Sequence, residues 1–317
     1  MSIVLTGSIA YDYLMTFPGR FRDHILLERL ERLSLSFLVD SMVRQRGGIA
    51  ANIAYTLALL GERPTVMATV GQDFEEYGAF LESVGVDTSA IKTIPDLFTA
   101  SFFVNTDQTN AQIASFYSGA MERAAELSFA DLPFVPELAM ISANDPNAMQ
   151  AHIDECRRLG IPYAYDPSQQ TVRLEAEPLI DGITSCHALF VNDYEFDLIR
   201  KKTKLEVADI LKNSAFIVIT KGERGADVHT PDGTLSVGAT PVEAIADPTG
   251  VGDAFRGGFL RGYLAGLSLE RCAQMGALAA AYCLENVGPQ GHTFDLPAFT
   301  ARFRSLFDDQ GELDRLT

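Results

Sequence analysis

The chain predicts an α/β fold: a central, mostly parallel sheet flanked by helices, with a small β-sheet lid inserted at one edge. Three observations carry this. Short apolar runs of strand length alternate with stretches of helical character along the chain, the pattern of a parallel sheet covered on both faces. Two of the junctions into helical stretches are glycine-rich, at Gly47-Gly48 and at Gly250-Val251-Gly252. Two segments, 11–46 and 97–118, break the alternation with strand-like patterning of their own.

Taken in order, Met1-Ser-Ile-Val-Leu-Thr-Gly-Ser8 lacks the basic and long apolar regions of a signal peptide and reads as a first strand. The predicted strands are Ile3–Thr6, Thr65–Val70, Ala139–Ser142, Tyr163–Asp166, Ala188–Asn192 and Phe216–Thr220. The predicted helices are Ile49–Leu60, Phe74–Val84, Pro146–Leu159, Glu206–Leu211, Ala254–Leu264, Leu269–Asn286 and Pro297–Phe307. Leu33-Ser-Leu-Ser-Phe-Leu-Val-Asp40 and Ala100-Ser-Phe-Phe-Val-Asn105 alternate apolar and polar positions and predict a small antiparallel lid. The domain division that follows is a large domain of residues 1–10, 47–96 and 119–317, and a lid of residues 11–46 and 97–118.

Bulk properties narrow the function. The 317 residues, 47% of them hydrophobic, suffice for one large α/β domain with an accessory element. No run of 18 apolar residues is present, so no membrane span is expected. Cys156, Cys186, Cys272 and Cys283 are scattered without CxxC spacing, which predicts buried free thiols in a reducing cytoplasm rather than disulfides or zinc. A net charge of −17 argues against nucleic-acid partners. It leaves open a small anion held by local N–H groups and a metal.

Asp247-Pro-Thr-Gly-Val-Gly-Asp253 is the richest stretch. Gly250 and Gly252 let backbone N–H groups approach a ligand, and the apolar run from Ala254 to Ala265 reads as a buried helix starting on them. Unpaired N–H groups and the helix dipole favour a phosphate there. Asp253 stands beside that anion, where a carboxylate repels it. Taking a proton from an attacking hydroxyl gives the carboxylate a reason to be there; an Asp cap beside a turn is the plainer alternative. After the first strand, Gly7 and Ser8 suit a strand end and Asp12 would project into the crevice, where one carboxylate can accept from two vicinal hydroxyls; a surface Asp at a strand end is the plainer alternative. Asn52 is a polar residue on an otherwise apolar helix face opened by Gly47-Gly48. Phe102, Phe103, Phe116 and Tyr117 on the lid offer rings that could face each other across a planar base, or simply lid core. Gln169 and Gln170 offer amides that can pair with a base edge. No G-x-x-x-x-G-K-[ST] occurs, so this is not a P-loop enzyme.

The 247–253 stretch closely resembles the C-terminal signature of the ribokinase/adenosine kinase (PfkB-type) carbohydrate kinases, D-T-x-G-A-G-D, with Pro248 and Val251 as the departures. Arg46-Gly-Gly-Ile-Ala-Ala-Asn52 is similar to that family's N-terminal signature. The resemblance implies a ribokinase-like fold, Asp253 as base, and the N–H groups of Gly250, Val251, Gly252 and Asp253 as the anion hole. It implies that Gly48 and Asn52 bind the sugar. Asn192-Asp-Tyr-Glu195 resembles the family's N-x-x-E motif, implied to organise Mg²⁺ and phosphate largely through water. Thr220-Lys-Gly-Glu-Arg-Gly225 resembles its T-x-G-x-x-G segment, which implies that Thr220, Gly222 and Gly225 approach ATP; a tight turn would look the same. By the same resemblance Asn286–Gly291 borders the adenine pocket, and Asp247 and Thr249 are placed for a monovalent cation such as K⁺.

Thr6-Gly-Ser-Ile-Ala, Leu35–Asp40, Ile113–Tyr117, Asp166–Gln170 and Asp247–Asp253 together look most like the bacterial, mycobacterial-type adenosine kinases of this family. That implies Phe102 and Phe116 clamping a purine, with Ser8, Ser36, Gln169 and Gln170 positioning the nucleoside. The expectation is ATP-dependent 5′-phosphorylation of adenosine, a purine-salvage reaction. A ribose, fructose or other nucleoside kinase of the same fold, or a nucleoside-binding protein without turnover, remains open at this point. A homodimer joined through the lid is a further expectation.

Overall fold

The computed structural model describes residues 2–25 and 34–316. The strands are β1 (Ile3–Thr6), β2 (Ala10–Thr16), β3 (Ser41–Gly47), β4 (Thr65–Met67), β5 (Thr69–Gly71), β6 (Lys92–Ile94), β7 (Ala100–Thr106), β8 (Gln112–Tyr117), β9 (Leu138–Ser142), β10 (Tyr163–Asp166), β11 (Ala188–Asn192), β12 (Phe216–Thr220), β13 (Ala226–Thr230) and β14 (Gly233–Val237). The helices are α1 (Ile49–Leu59), α2 (Glu75–Ser83), α3 (Pro146–Leu159), α4 (Gln170–Arg173), α5 (Ala176–Ser185), α6 (Asp193–Thr203), α7 (Val207–Ile210), α8 (Val251–Leu264), α9 (Leu269–Leu284) and α10 (Leu296–Leu306).

The central sheet has eight strands in the order β14-β13-β12-β11-β10-β9-β1-β4. From β12 to β4 the pairing is parallel, and β13 and β14 extend it antiparallel. Its central strands are buried on both faces, which explains their unbroken apolar runs. One face is covered by α1, α8 and α9 through residues such as Ile53, Leu57, Phe259 and Leu278. The other is covered by α3, α5 and α6 through Ile153, Leu179 and Ile199. Local signals start several helices: Asp145 caps α3 ahead of Pro146, Ser268 caps α9 and Asp295 caps α10. The chain leaves β1 toward β4 on one side and reaches β9 on the other, so a crevice opens at the carboxyl ends of β1 and β9.

Three details differ from the sequence expectation. Thr65–Val70 is two strands: the chain steps at Ala68, whose carbonyl accepts from Lys92 N (2.9 Å), into a separate two-stranded sheet of β5 and β6. Helix α8 begins at Val251, three residues before the predicted start, so Gly252 and Asp253 lie inside its first turn. The lid is a mixed sheet, β3-β2-β7-β8, rather than an antiparallel one. Strands β2 and β7 both leave the core at a buried alanine, Ala10 and Ala100, and so run parallel; β3 and β8 return outside them, antiparallel. Residues 34–40 carry no strand, and the pairing starts at Ser41. Leu33 lies outside the described residues.

Candidate active site

Gly250, in a left-handed conformation, caps the N-terminus of α8. The turn before it is tied down by Asp247, whose Oδ1 accepts from Thr249 N (2.9 Å) and whose Oδ2 accepts from Gly288 N (3.0 Å). Burial alone would raise the Asp247 carboxyl, and the bonds from Thr249 and Gly288 outweigh it, leaving it below the usual range. The first-turn N–H groups of α8 have no helical partner of their own. They open toward the crevice beside Asp253.

Asp253 is held by a chain of side chains. Asn52, on the first turn of α1, donates from Nδ2 to Asp253 Oδ2 (2.8 Å). Gln290 donates to Asn52 Oδ1 (2.8 Å) and to the Tyr77 hydroxyl (2.5 Å). Tyr77 in turn donates to the carbonyl of Gly47 (2.9 Å). All three polar residues are buried, so each bond removes a desolvation cost of about 1–3 kcal/mol. Burial pushes the Asp253 carboxyl up, while Arg256 and then Asn52 pull it back. Gln290 belongs to the segment Asn286–Gly291 expected at the adenine pocket, and it bonds Asn52 and Tyr77.

Asp12 comes from the lid. Burial, followed by the charges of Asp247 and Asp253, raises its carboxyl to about 6. Asp12 is therefore within electrostatic reach of both Asp247 and Asp253. On the lid, Asp12 is the direct cross-strand partner of Gln45 and of Phe102, and Phe102 is the partner of Phe116. Direct partners share a face, so Gln45, Asp12, Phe102 and Phe116 form one row. Phe102 and Phe116 are thus direct cross-strand partners on one face of the lid. Phe103 lies on the other face, stacked on Tyr13 with centroids 4.7 Å apart.

The remaining expected residues fall into two groups. Ser8 lies at the crevice, its hydroxyl accepting from Ile49 N (3.2 Å) at the start of α1. Gln170 is buried and donates to Asn144 O (2.7 Å), which leaves Gln170 Oε1 and Asn144 Nδ2 without partners. Gln169 points to solvent, and Ser36 is exposed beside Phe37, whose ring packs against Phe17 and Phe21 beyond the end of β2. Sequence reasoning passed over Tyr77, Asn144, Gln290 and Gln45; a polar residue just past a strand end was the available signal for Asn144.

At the carboxyl ends of β11 and β12, Asn192 and Glu195 form a capping box: Asn192 Oδ1 accepts from Glu195 N (2.7 Å) and Glu195 Oε2 accepts from Asn192 N (2.8 Å). Glu195 Oε1 has no hydrogen-bond partner among the described residues. Thr220-Lys-Gly-Glu-Arg-Gly225 is a tight connection from β12 to β13, closed by Lys221 N donating to Gly225 O (2.7 Å). Among the described residues no group of three or more His, Cys, Asp or Glu side chains is gathered to hold a metal ion, and no helix is long and apolar enough to cross a membrane. The four cysteines are free and buried.

A carboxylate beside an array of unpaired N–H groups, facing a second carboxylate on a lid, suits transfer of a phosphoryl group to a hydroxyl. The family model for pfkB family carbohydrate kinases matches residues 9–294. A nucleoside kinase of Methanothermobacter thermautotrophicus is 30% identical over 306 residues, covering 95% of both chains. A cytidine kinase of Thermococcus kodakarensis is 27% identical over 274 residues, covering 84% of this chain and 97% of that one. The solved nucleoside kinase of Burkholderia thailandensis in complex with inosine superposes with a TM-score of 0.87 at 33% identity, covering 96% of this chain and 99% of that one. Fold, site and these likenesses agree, and the chain belongs to the pfkB family of carbohydrate kinases.

Proposed function

We propose that the protein is a nucleoside kinase that transfers the γ-phosphoryl group of ATP to the 5′-hydroxyl of adenosine, giving AMP and ADP. One observation supports a nucleoside over a bare sugar: the row Asp12, Phe102, Phe116 on a single face of the lid. Adjacent strands are about 4.8 Å apart, so the row sets a hydroxyl-binding carboxylate directly beside an aromatic platform wide enough for a purine. The relatives that are nucleoside kinases support the same reading. Gln170 Oε1 and Asn144 Nδ2, one unpaired acceptor and one unpaired donor, suit a base edge that presents both. Inosine presents them in the opposite sense, and turning either amide over would break its backbone bond, Gln170 Nε2 to Asn144 O (2.7 Å) or Asp145 N to Asn144 Oδ1 (2.8 Å), which favours adenosine. The inosine bound to the B. thailandensis enzyme makes an oxopurine nucleoside the second reading.

In this reading the lid, residues 11–46 and 97–118, closes over the large domain once the nucleoside is bound against Asp12, Gly48 and Asn52. Asp253 takes the 5′-hydroxyl proton. The oxygen attacks the γ-phosphorus in line, and ADP leaves with the electron pair of the broken P–O bond. The N–H groups of residues 250–253 hold the transferring charge, so catalysis is positioning and electrostatics without a protein nucleophile. Thr220, Gly222 and Gly225 would border the nucleotide. Glu195, whose Oε2 is taken by Asn192 N, would hold Mg²⁺ through its water shell, and the metal would supply charge neutralisation for the phosphates. A monovalent cation such as K⁺ at Asp247 and Thr249 would reduce the repulsion among Asp12, Asp247 and Asp253.

The deciding test is ADP release with Mg-ATP and K⁺ against adenosine, 2′-deoxyadenosine, inosine, guanosine, cytidine, ribose and fructose. Adenosine is expected to be preferred, with 2′-deoxyadenosine lower by about 10–100-fold in kcat/KM, the worth of a hydrogen bond to a charged group. A preference for ribose or fructose would keep the kinase and Asp253 but overturn the aromatic platform.

The raised Asp12 carboxyl gives a second expectation. With its carboxyl at about 6 in the free protein, Asp12 is a hydroxyl-accepting carboxylate above that pH and a neutral acid below it. Equilibrium binding of adenosine without ATP should therefore be constant above about pH 6.5 and weaken by up to about tenfold per pH unit well below 6. Binding should release protons near pH 6. Asp12→Asn should bind more weakly at neutral pH and lose the dependence; an unchanged profile in that variant would remove Asp12 from the nucleoside site.

A further inference from the structure

We propose that Arg256 is a catalytic residue: it forms the side-chain wall of the anion hole and donates from Nη1 to the transferring phosphoryl group, while Asp166 holds its guanidinium in position. The inference rests on the phosphoryl-transfer reading above.

Arginine is almost never fully buried unless it is paired, and Arg256 is 6% exposed. Its partner is Asp166, at the carboxyl end of β10 and wholly buried. Nη2 donates to Asp166 Oδ1 (3.0 Å), and Nε lies 2.5 Å from Oδ2 as an ion pair outside hydrogen-bond geometry. These two contacts use one edge of the guanidinium. The third nitrogen, Nη1, has no acceptor among the described residues. It lies 2.9 Å from the point a Cβ on Gly252 would occupy. The unpaired donor is therefore pressed against the backbone of the first turn of α8, whose N–H groups form the hole. Arg256 is also three residues after Asp253, hence on the same side of the helix.

The charge pattern favours such a cation. Asp12 lies within electrostatic reach of Asp247 and Asp253, and Asp253 within reach of Glu195, while helix N–H groups supply only partial charge. Arg256 acts electrostatically on Asp253, Glu195 and Asp166 together. The nearby basic residues on the nucleotide side are already paired, Lys221 with Asp227 (2.6 Å) and Arg224 with Asp193 (2.6 Å). A purely structural ion pair tying α8 to β10 would explain these two contacts. It would not explain a third nitrogen left without an acceptor beside a residue whose side chain is absent. Gly252 admits Nη1 to the hole, since any Cβ would sit within 3 Å of it. In the reaction Arg256 gives no proton away; it shifts hydrogen bonds toward the equatorial oxygens as their charge grows.

The test uses Arg256→Lys and Arg256→Met, both scored against wild type with the nucleoside that wild type prefers. A wrong acceptor then shows in the wild-type panel and leaves this comparison intact. Lysine keeps the charge and the pairing with Asp166 but offers no third nitrogen in the plane. The expected result for Arg256→Lys is wild-type folding, a nucleoside KM within about threefold, and kcat lower by about 10–100-fold. For Arg256→Met the expected loss in kcat is about 10²–10³-fold, the range for a single oxyanion donor. Calorimetry supplies a readout without turnover. Affinity for ADP alone should change little in either variant. The tightening produced by adding fluoroaluminate, Mg²⁺ and the nucleoside should be largely lost. Wild-type kcat and wild-type fluoroaluminate tightening in Arg256→Lys would overturn the proposal and leave Arg256 as a structural partner of Asp166. Equal losses of ADP affinity with and without fluoroaluminate would overturn it as well. Should Arg256→Met fail to fold, the lysine variant decides alone.

Discussion

Replacing Asp253 by Asn is expected to lower turnover by about 10³–10⁴-fold, toward the upper range for loss of a general base, with nucleoside affinity changed only a few-fold. The substitution preserves shape. The Asn side chain still offers an oxygen to Asn52 Nδ2, now 2.8 Å from Asp253 Oδ2, so the chain through Gln290 to Tyr77 stays intact. What is lost is the basic oxygen beside the attacking hydroxyl. Burial makes the carboxylate more basic than usual, with Arg256 first and Asn52 second limiting the rise. The ionised form is the active one, so kcat/KM should climb with pH through a limb above the ordinary carboxylate range. ATP affinity should be unchanged or tighter in the variant, because a negative charge beside the γ-phosphate is gone. Single-turnover kinetics with calorimetric binding of nucleoside and ATP checks each part. Near-normal turnover would refute the base assignment, and a parallel collapse of nucleoside binding would mean that Asp253 is a structural anchor.

Much of this site was legible before the fold was known, for identifiable reasons. The strands from β9 to β12 announced themselves because burial on both faces makes each an unbroken apolar run. Asp12, Asn52 and Asp253 stood out as polar residues where a strand end or an apolar helix face should carry none. Illegible were the partners that make these residues work. Asn52 meets Asp253 across 201 residues of sequence, and Gln290 meets Asn52 across 238. Asp166 was read only as part of a motif and Arg256 only as part of an apolar run, although 90 residues apart they form a buried ion pair between β10 and α8. Hydrophobic periodicity carries no information about such distant polar matches. The lid failed differently. Its residues 34–40 alternate like a strand, but pairing is decided by which strands leave the core together, and that depends on the buried positions of Ala10 and Ala100 rather than on local pattern. The aromatics followed the same logic: Phe102 and Phe116 were recognisable as a pair, but only the cross-strand register places them side by side in line with Asp12.

The junction between lid and helix α1 is a backbone position that should tolerate no side chain. Gly48 has φ +95°, and a Cβ there would lie 2.5 Å from Ile9 Cα, 2.5 Å from Ser8 O and 2.6 Å from Ala10 N. All three are backbone atoms, so no rotamer change relieves the clash. The strand that must shift carries Asp12 two residues later, and the helix capped by Gly48 carries Asn52. Gly48→Ala is therefore expected to cost about 3 kcal/mol or more, conformational strain plus displaced backbone. It should also reduce kcat/KM at temperatures where the variant remains folded, through misplacement of Asp12 and Asn52 together. Gly266→Ala is the control: its φ is +71°, but no atom lies within 4 Å of the added methyl, so it should cost only the local strain, about 1 kcal/mol. Urea midpoints and adenosine affinity of both variants separate the two effects. Equal destabilisation would mean that the backbone near Ser8 and Ile9 yields easily, and that the lid hinge is softer than its packing implies. A Gly48→Ala protein of near-normal stability but weakened adenosine binding would place the strain in the lid's position rather than in the core, which is where a closing lid would have to absorb it.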